Sequence, residues 1–377
     1  MTAGRHTSTA LAAGARRGLR VLGLLAAAAV PPLGAAPEQP HPQEIEWTDA
    51  RTLGLEGRGW SDTKSFYDRL PQKAEGVVRD AVWQLGHDSA GLCVHFASDA
   101  PAMRAKWTLT GAQLALPNMS ASGVSGLDLY VKKGGDWRWM AAARAAYRED
   151  NEVALFEGLP AERREYLLYL PLYNGIESLR IGVPKPFGLE PVVRPDKPLV
   201  FYGTSIVQGG CVARPGMAYP AMLGRRLDLP VVNLGFSGNA HAEPEVAALL
   251  AEIDAAVFVL DCLPNLSSDE VARLKPFVAA LRAKRPDTPV VLVESLEYPD
   301  GAVIPSRRAA YEDSNDELGR IFEALSRTDR HIFHVPARNL VGDDGEGTVD
   351  GTHPTDLGAF RMARKMEPVL RLALDSR

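Results

Sequence analysis

Pro198-Leu-Val-Phe-Tyr-Gly-Thr-Ser-Ile-Val-Gln-Gly209 decides the fold. Its apolar half, Pro198 to Phe201, leads into the turn Tyr202-Gly203-Thr204-Ser205, and Tyr219 to Leu227 beyond it reads as helix. A β-strand is therefore expected to end at Gly203, with Ser205 in the turn at its carboxyl edge. Open parallel α/β sheets bind their ligands at that edge. A hydroxyl there can lie near helix N-terminal N–H groups, which favour developing negative charge. A serine that only caps the turn is the alternative.

Downstream the same rhythm continues. Apolar runs Leu199–Tyr202, Val231–Leu234, Ala255–Leu260, Val290–Val293 and Ile332–Val335 alternate with helical stretches near 216–227, 244–252, 268–284, 306–327 and 355–375. Strands without in/out alternation are buried on both faces, which means a parallel sheet covered by helices. Five of them predict an α/β, flavodoxin-like three-layer domain with strand order 2-1-3-4-5.

Upstream, from about 51 to 195, the pattern is short strands separated by turn signals. Candidates are Val82–Leu85, Leu92–Phe96, Met103–Thr108, Leu127–Lys132, Trp137–Met140, Tyr166–Leu170 and Leu179–Val183. Such spacing argues for an antiparallel β-sandwich. Residues 37–50 read as a linker, and Pro184–Pro198, with five prolines, as a semi-rigid connector. The expected division is a signal peptide (1–36), a β-sandwich domain (37–195) and a catalytic α/β domain (196–377).

The signal peptide rests on Arg5, Arg16, Arg17 and Arg20 ahead of the apolar stretch Val21–Val30, with Gly34-Ala-Ala36 behind it. That stretch is shorter than the roughly 20 residues a bilayer span needs. Periplasmic or secreted localisation is expected, and Arg16-Arg17 leaves twin-arginine export open. Over 377 residues the net charge is −5, with 46% apolar and 24% charged residues, which fits a soluble globular chain. No Lys/Arg stripe offers a nucleic-acid footprint. Three cysteines, Cys93, Cys211 and Cys262, allow at most one internal bridge, and no Cys/His spacing resembles a zinc site. The predicted strand order would let Cys211 and Cys262 meet in a disulfide, with two unpaired thiols as the alternative.

The last turn before the final helix reads Val349-Asp-Gly-Thr-His-Pro-Thr-Asp356. His353 follows Asp350 by three positions, so one loop can present a carboxylate to imidazole Nδ1 while Nε2 points outward. Pro354 suits a first helical position. Serine attack on a carbonyl needs a base for its proton and an anion to hold that base in the right tautomer. Ser205 after strand one, with Asp350 and His353 after strand five, could supply all three from one sheet edge. A helix-capping imidazole is the alternative for His353. His241 and His334 are its rivals, but His334 lies in an apparent buried strand and His241 has no carboxylate at a short fixed offset.

The turn is not the Gly-x-Ser-x-Gly elbow of α/β-hydrolases. The chain instead resembles the SGNH hydrolases, or GDSL esterases, through four blocks in order: Gly203-Thr-Ser205, Asn233-Leu-Gly-Phe-Ser-Gly238-Asn239, Asp261-Cys-Leu-Pro-Asn265 and Asp350-Gly-Thr-His353. Gly126-Leu-Asp-Leu-Tyr130 further resembles the β-sandwich domain that precedes one SGNH subgroup. The resemblance implies Ser205 as nucleophile, His353 as base and Asp350 as its partner. It also implies an oxyanion hole from the N–H groups of Ser205 and Gly238 and the side-chain amide of Asn265, with Asn239 the competing choice. Two positions depart from the family pattern. Thr204 replaces the Asp of Gly-Asp-Ser, and Asn265 sits in Leu-Pro-Asn-Leu rather than Gly-x-Asn-Asp.

Arg214 could clamp a substrate carboxylate or hydroxyl at the mouth, or simply lie over the following helix. Asp343-Asp-Gly-Glu346 fails the calcium-loop pattern, and the sequons Asn118-Met-Ser and Asn265-Leu-Ser are discounted as glycosylation sites. The expected function is an exported serine esterase needing no metal or cofactor. Its expected substrate is a small-molecule or carbohydrate acyl ester, short-chain and in the first instance acetyl. The sandwich is expected to lie beside the sheet and shape the substrate site. An acyltransferase using the same residues, or a catalytically dead carbohydrate-binding protein, are the rival readings.

Overall fold

The computed structural model describes residues 44–376, so the expected signal peptide lies outside the described residues. The first lobe is built from β1 (Ile45–Asp49), β2 (Gly54–Glu56), β3 (Cys93–Ser98), β4 (Met103–Leu109), β5 (Leu127–Lys133), β6 (Asp136–Ala143), β7 (Asn151–Phe156), β8 (Arg164–Tyr169), β9 (Ile176–Pro184) and β10 (Glu190–Pro191). They form two antiparallel sheets. One has the order β1-β9-β4-β7; the other runs β10-β3-β8-β5-β6, with β2 also paired to β3.

The two sheets differ in what their faces meet. Along β4 buried and half-buried residues alternate, as in a sheet with one wet face. Along β3 every residue is buried. One face of this second sheet meets the first over Phe96, Trp107, Tyr166, Leu168 and Ile181. Its other face, with Cys93, Tyr130, Leu167 and Tyr169, packs into the second lobe. It is a middle layer.

Two local expectations are corrected. Val82–Leu85 belongs to a helix, α1 (Asp80–Leu85), where the neighbours Val82 and Trp83 are both buried and Asp80 sits in the first turn, favoured by the helix dipole. The expected linker already contains β1. The proline connector contains β10 and is pinned by Arg194, whose guanidinium bonds Glu56 (2.7 Å) and Asp228 (3.3 Å). A one-turn helix, α2 (Ala121–Val124), precedes β5.

In the second lobe the strands are β11 (Leu199–Gly203), β12 (Val231–Gly235), β13 (Val257–Asp261), β14 (Val290–Val293) and β15 (Ile332–Val335). The helices are α3 (Ser205–Gln208), α4 (Tyr219–Leu227), α5 (Pro244–Leu250), α6 (Leu274–Lys284), α7 (Pro305–Ser326) and α8 (Asp356–Asp375). All strand pairs are parallel and the order is β12-β11-β13-β14-β15, the 2-1-3-4-5 arrangement expected. Val200, Tyr202, Leu260 and Leu292 face α5, α6 and α7, while Phe201, Val259, Val291 and Val293 face α4 and α8.

The edge strand β12 is covered by the first lobe. Arg69 is fully buried there, and its Nη1 donates to the carbonyls of Asn233 (3.1 Å) and Gly235 (2.7 Å). Desolvation pulls its guanidinium down to about 10, with the nearby Asp88 charge opposing. Covering an edge in this way removes a template for pairing with another chain.

Candidate active site

The turn that carries Ser205 is fixed by close packing. A Cβ on Gly203 would stand 2.1 Å from the Asp261 carbonyl oxygen, so only glycine lets β11 end against β13 there. Thr204 is buried, and its hydroxyl accepts from the Ile206 N–H (3.2 Å), capping α3. An aspartate at this position can cap in the same way, which is why threonine is tolerated. Ser205 opens α3, 8% exposed.

The His353 loop is closed on itself. Thr348 bridges to Pro354, and the Val349 N–H donates to the His353 carbonyl (2.8 Å). Pro354 therefore stands outside the helix; Thr355 is the cap of α8, its hydroxyl accepting from Gly358 N–H (3.1 Å). Within the loop Asp350 Oδ1 accepts from the N–H groups of His353 (2.8 Å) and Thr352 (3.2 Å). Its Oδ2 bonds His353 Nδ1 at 2.8 Å. His353 Nε2 bonds Ser205 Oγ at 2.7 Å. The three residues expected from opposite ends of the lobe are thus brought into one chain of hydrogen bonds.

Burial pushes the Asp350 carboxyl upward, but hydrogen bonds from the His353 backbone and ring, the His353 charge and Asn118 outweigh it and hold the group at about 2. The carboxylate is ionised throughout the physiological range and favours the imidazole proton on Nδ1, leaving Nε2 to accept.

Gly238 has a left-handed backbone (φ 67°), which puts it where glycine is favoured. The residue before it is held by Gln208, the last residue of α3, whose Oε1 accepts from Ser237 N–H (3.0 Å). Gln208 Nε2 donates to Asp88 (2.9 Å) and to the Leu172 carbonyl (3.0 Å). The hydrogen-bonding surroundings orient the Asn265 amide with Oδ1 accepting from the N–H groups of Asn239 (2.9 Å) and Ala240 (3.1 Å), which turns its NH₂ away from them. The Asn239 amide is engaged elsewhere, donating to Ser237 O (2.8 Å) and accepting from Arg79 (2.9 Å).

Arg214 has no bond in the Ser205–His353–Asp350 chain. Its Nη1 donates to Asp128 (2.7 Å) and to Tyr130 Oη (2.5 Å), two residues of the Gly126–Tyr130 stretch, so its charge is already spent across the lobe boundary. The histidine rivals are likewise apart. His334 pairs with Glu294 (2.8 Å), and His241 Nε2 faces the Gly238 carbonyl (3.2 Å). All three cysteines are free. Cys262 points into the α5–α6–α7 face, whereas Cys211, at φ 69°, lies beside Asp350 and His353. Burial first and the Asp350 charge second raise the Cys211 thiol to about 11.

Sequence reasoning missed four supporting residues. Asn118, from the first lobe, donates to Asp350 Oδ2 at 3.0 Å. Tyr173 donates to the Ser205 carbonyl (3.3 Å). Gln208 and Asp88 hold the Ser237–Gly238 turn. Only Gln208 left a signal, lying one helical turn after Ser205. The stretch before β5 also touches the second lobe: Ser120 Oγ donates to the Ala213 carbonyl (3.2 Å).

Residues 196–371 match the family model for GDSL-like lipases and acylhydrolases, and residues 45–187 match the GxDLY model, the N-terminus of SGNH-hydrolase-type esterases. A Bacteroides ovatus ATCC 8483 protein described as a GDSL-like lipase is 36% identical, with a TM-score of 0.83 over 88% of this chain and 98% of that one. The salicylyl-acyltransferase SsfX3 of a tetracycline biosynthetic pathway is 19% identical (TM-score 0.71; 87% and 97% covered). A family two carbohydrate esterase from Cellvibrio japonicus is 12% identical (TM-score 0.59; 89% and 99%), a likeness of fold. No curated protein matches the chain.

Proposed function

The chain belongs to the GDSL-like lipase and acylhydrolase family, as a carboxylic ester hydrolase of the SGNH type with a GxDLY N-terminal domain, and from that premise we propose an exported serine esterase that removes short acyl groups, acetyl foremost, from carbohydrate. The observation that carries the mechanism is the relay Ser205 Oγ–His353 Nε2 (2.7 Å) and His353 Nδ1–Asp350 Oδ2 (2.8 Å) at the carboxyl edge of the parallel sheet. In this reading His353 takes the Ser205 proton as Oγ attacks the ester carbonyl. The N–H groups of Ser205 and Gly238 and the Asn265 NH₂ hold the oxyanion. His353 then protonates the leaving alcohol, and a water molecule it deprotonates releases the acid from the acyl-enzyme.

Asn265 is preferred to Asn239 as the third donor because the Asn239 amide is engaged by Ser237 and Arg79. Carbohydrate is supported by the fold-level likeness to family two carbohydrate esterases, and acetyl by the acetyl xylan esterase of Butyrivibrio proteoclasticus among those neighbours. Export is supported by the basic and apolar order of residues 5–36. Among the described residues no helix is long and apolar enough to cross a membrane. An acyltransferase is the second reading, favoured by the likeness to SsfX3. Its mark would be acyl transfer to an added alcohol in preference to water.

The test is hydrolysis of 4-nitrophenyl acetate and of acetylated xylan, with organophosphonate labelling. Stoichiometric label on Ser205 and loss of turnover in Ser205→Ala are expected. Asn265→Ala is expected to lower kcat by about 100- to 1000-fold, the effect of one oxyanion donor. Label on another residue, or full activity of Ser205→Ala, rejects the mechanism; a larger loss in Asn239→Ala than in Asn265→Ala reassigns the donor.

A further inference from the structure

Cys211 has no part in the esterase relay, yet it is placed against it. Its Sγ, a carboxylate oxygen of Asp350 and a ring nitrogen of His353 all lie within 4.8 Å of one another. The turn that carries the thiol packs on the imidazole: a Cβ on Gly210 would stand 3.1 Å from His353 Cδ2. We propose that Cys211, Asp350 and His353 form an inhibitory site for a thiophilic divalent cation, zinc or cadmium.

Thiolate, imidazole and carboxylate are the three ligand types zinc prefers, and three protein ligands with an open fourth position make a stable tetrahedral site. Ligand atoms about 2.0–2.3 Å from zinc stand within about 4 Å of each other, so closure needs side-chain shifts on the order of 1 Å. The thiol proton leaves as the metal–sulfur bond forms, and the carboxylate and thiolate together neutralise the dication. Magnesium and calcium, which want oxygen ligands, gain nothing from the sulfur.

The consequence follows from how the imidazole is used. One ring nitrogen bonds Asp350 and the other bonds Ser205. A cation on Nε2 takes the lone pair that accepts the Ser205 proton, and a cation on Nδ1 displaces that nitrogen's proton and its bond to Asp350; either breaks the relay. Occupancy of the site is independent of the esterase reading; the inhibition rests on it, through His353 as base.

Two measurements on the intact chain separate these claims. Cadmium added to the wild type should produce ultraviolet cadmium–thiolate absorption, and Cys211→Ser should lack it, since Cys93 and Cys262 are buried. No absorption in the wild type, or undiminished absorption in Cys211→Ser, overturns the site. Zinc should inhibit nitrophenyl acetate hydrolysis reversibly by chelator. Cys211→Ser should keep its metal-free activity while its half-inhibiting zinc concentration rises by at least about 100-fold, since loss of a ligand costs no less than the 10- to 100-fold that loss of a mere supporting partner costs. Equal inhibition of both proteins, or equal inhibition by magnesium, also overturns the site. Cadmium binding without any loss of hydrolysis leaves the site standing and removes His353 from its proposed role.

Discussion

Asp128 and Asp350 each receive a hydrogen bond from the opposite lobe, Asp128 from Arg214 at 2.7 Å and Asp350 from Asn118 at 3.0 Å. Around Asp128 everything is closed. The side chain is fully buried, and Arg214, the Gly216 N–H (2.8 Å) and Trp139 Nε1 (3.0 Å) fill its oxygens. Burial pushes its carboxyl up, with the Arg214 charge working against that. Asp350 is 34% exposed at the side chain, and its donors hold it at about 2. A carboxylate that must hold an imidazole through a reaction stays charged and within reach of water. One that locks two lobes can be sealed in, provided its partners are all present. The first arrangement is expected to set a rate and the second a stability.

That contrast breaks first, and hardest, at Asp350. Asp350→Asn is expected to lower kcat by roughly 10⁴-fold with the melting temperature nearly unchanged, because the imidazole loses the partner that fixes its tautomer. A comparable loss of stability would erase the distinction. Asp128→Ala is the mirror experiment. It leaves Arg214 without its partner and is expected to cost about 3 kcal/mol, the lower end for a broken buried pair, because Arg214 keeps some solvent contact. Its folded fraction should turn over normally.

The two carboxyls also predict opposite slopes with pH. Asp350 is depressed, so the small stability its part-exposed charge adds, screened by solvent, is full above the ordinary value of 3.8 and is lost as pH falls through about 2. Asp128 is raised, so its share of stability declines as pH rises through 3.8. Denaturant titrations of wild type against each variant should give difference curves of opposite sign in acid. The smallest effect is expected at Asn118. Asn118→Ala removes one bond to a half-exposed charge, worth about 1 kcal/mol, or roughly fivefold in kcat. A change confined to KM would show that Asn118 touches substrate instead of positioning Asp350.

Much of this was legible in the chain because its patterns are local. The runs at Val290–Val293 and Ile332–Val335 are strands with those same bounds, since a short, largely apolar run between turn signals, with His334 its one polar residue, fits a covered sheet. Asp350 and His353 could be read together because their spacing fits within one loop. Val82–Leu85 was misread because a short apolar run suits strand and helix alike, and only the burial of adjacent residues separates them. The Cys211–Cys262 bridge failed although the strands are neighbours. Strand order says which ends meet but not which face of the sheet a side chain takes. Asn118 was out of reach altogether, because 232 residues separate it from the aspartate it touches.

Arg69 bears on how such a protein can change over generations. Its guanidinium, contributed by the first lobe, serves as the outermost neighbour of β12, supplying donors to two carbonyls where another strand would otherwise pair. A gene fragment beginning at the second lobe would encode a sheet with that border bare and sticky. Lobes joined by such a contact are inherited as a pair: recombination between their coding segments would have to carry over a matching arginine, or yield a chain that precipitates.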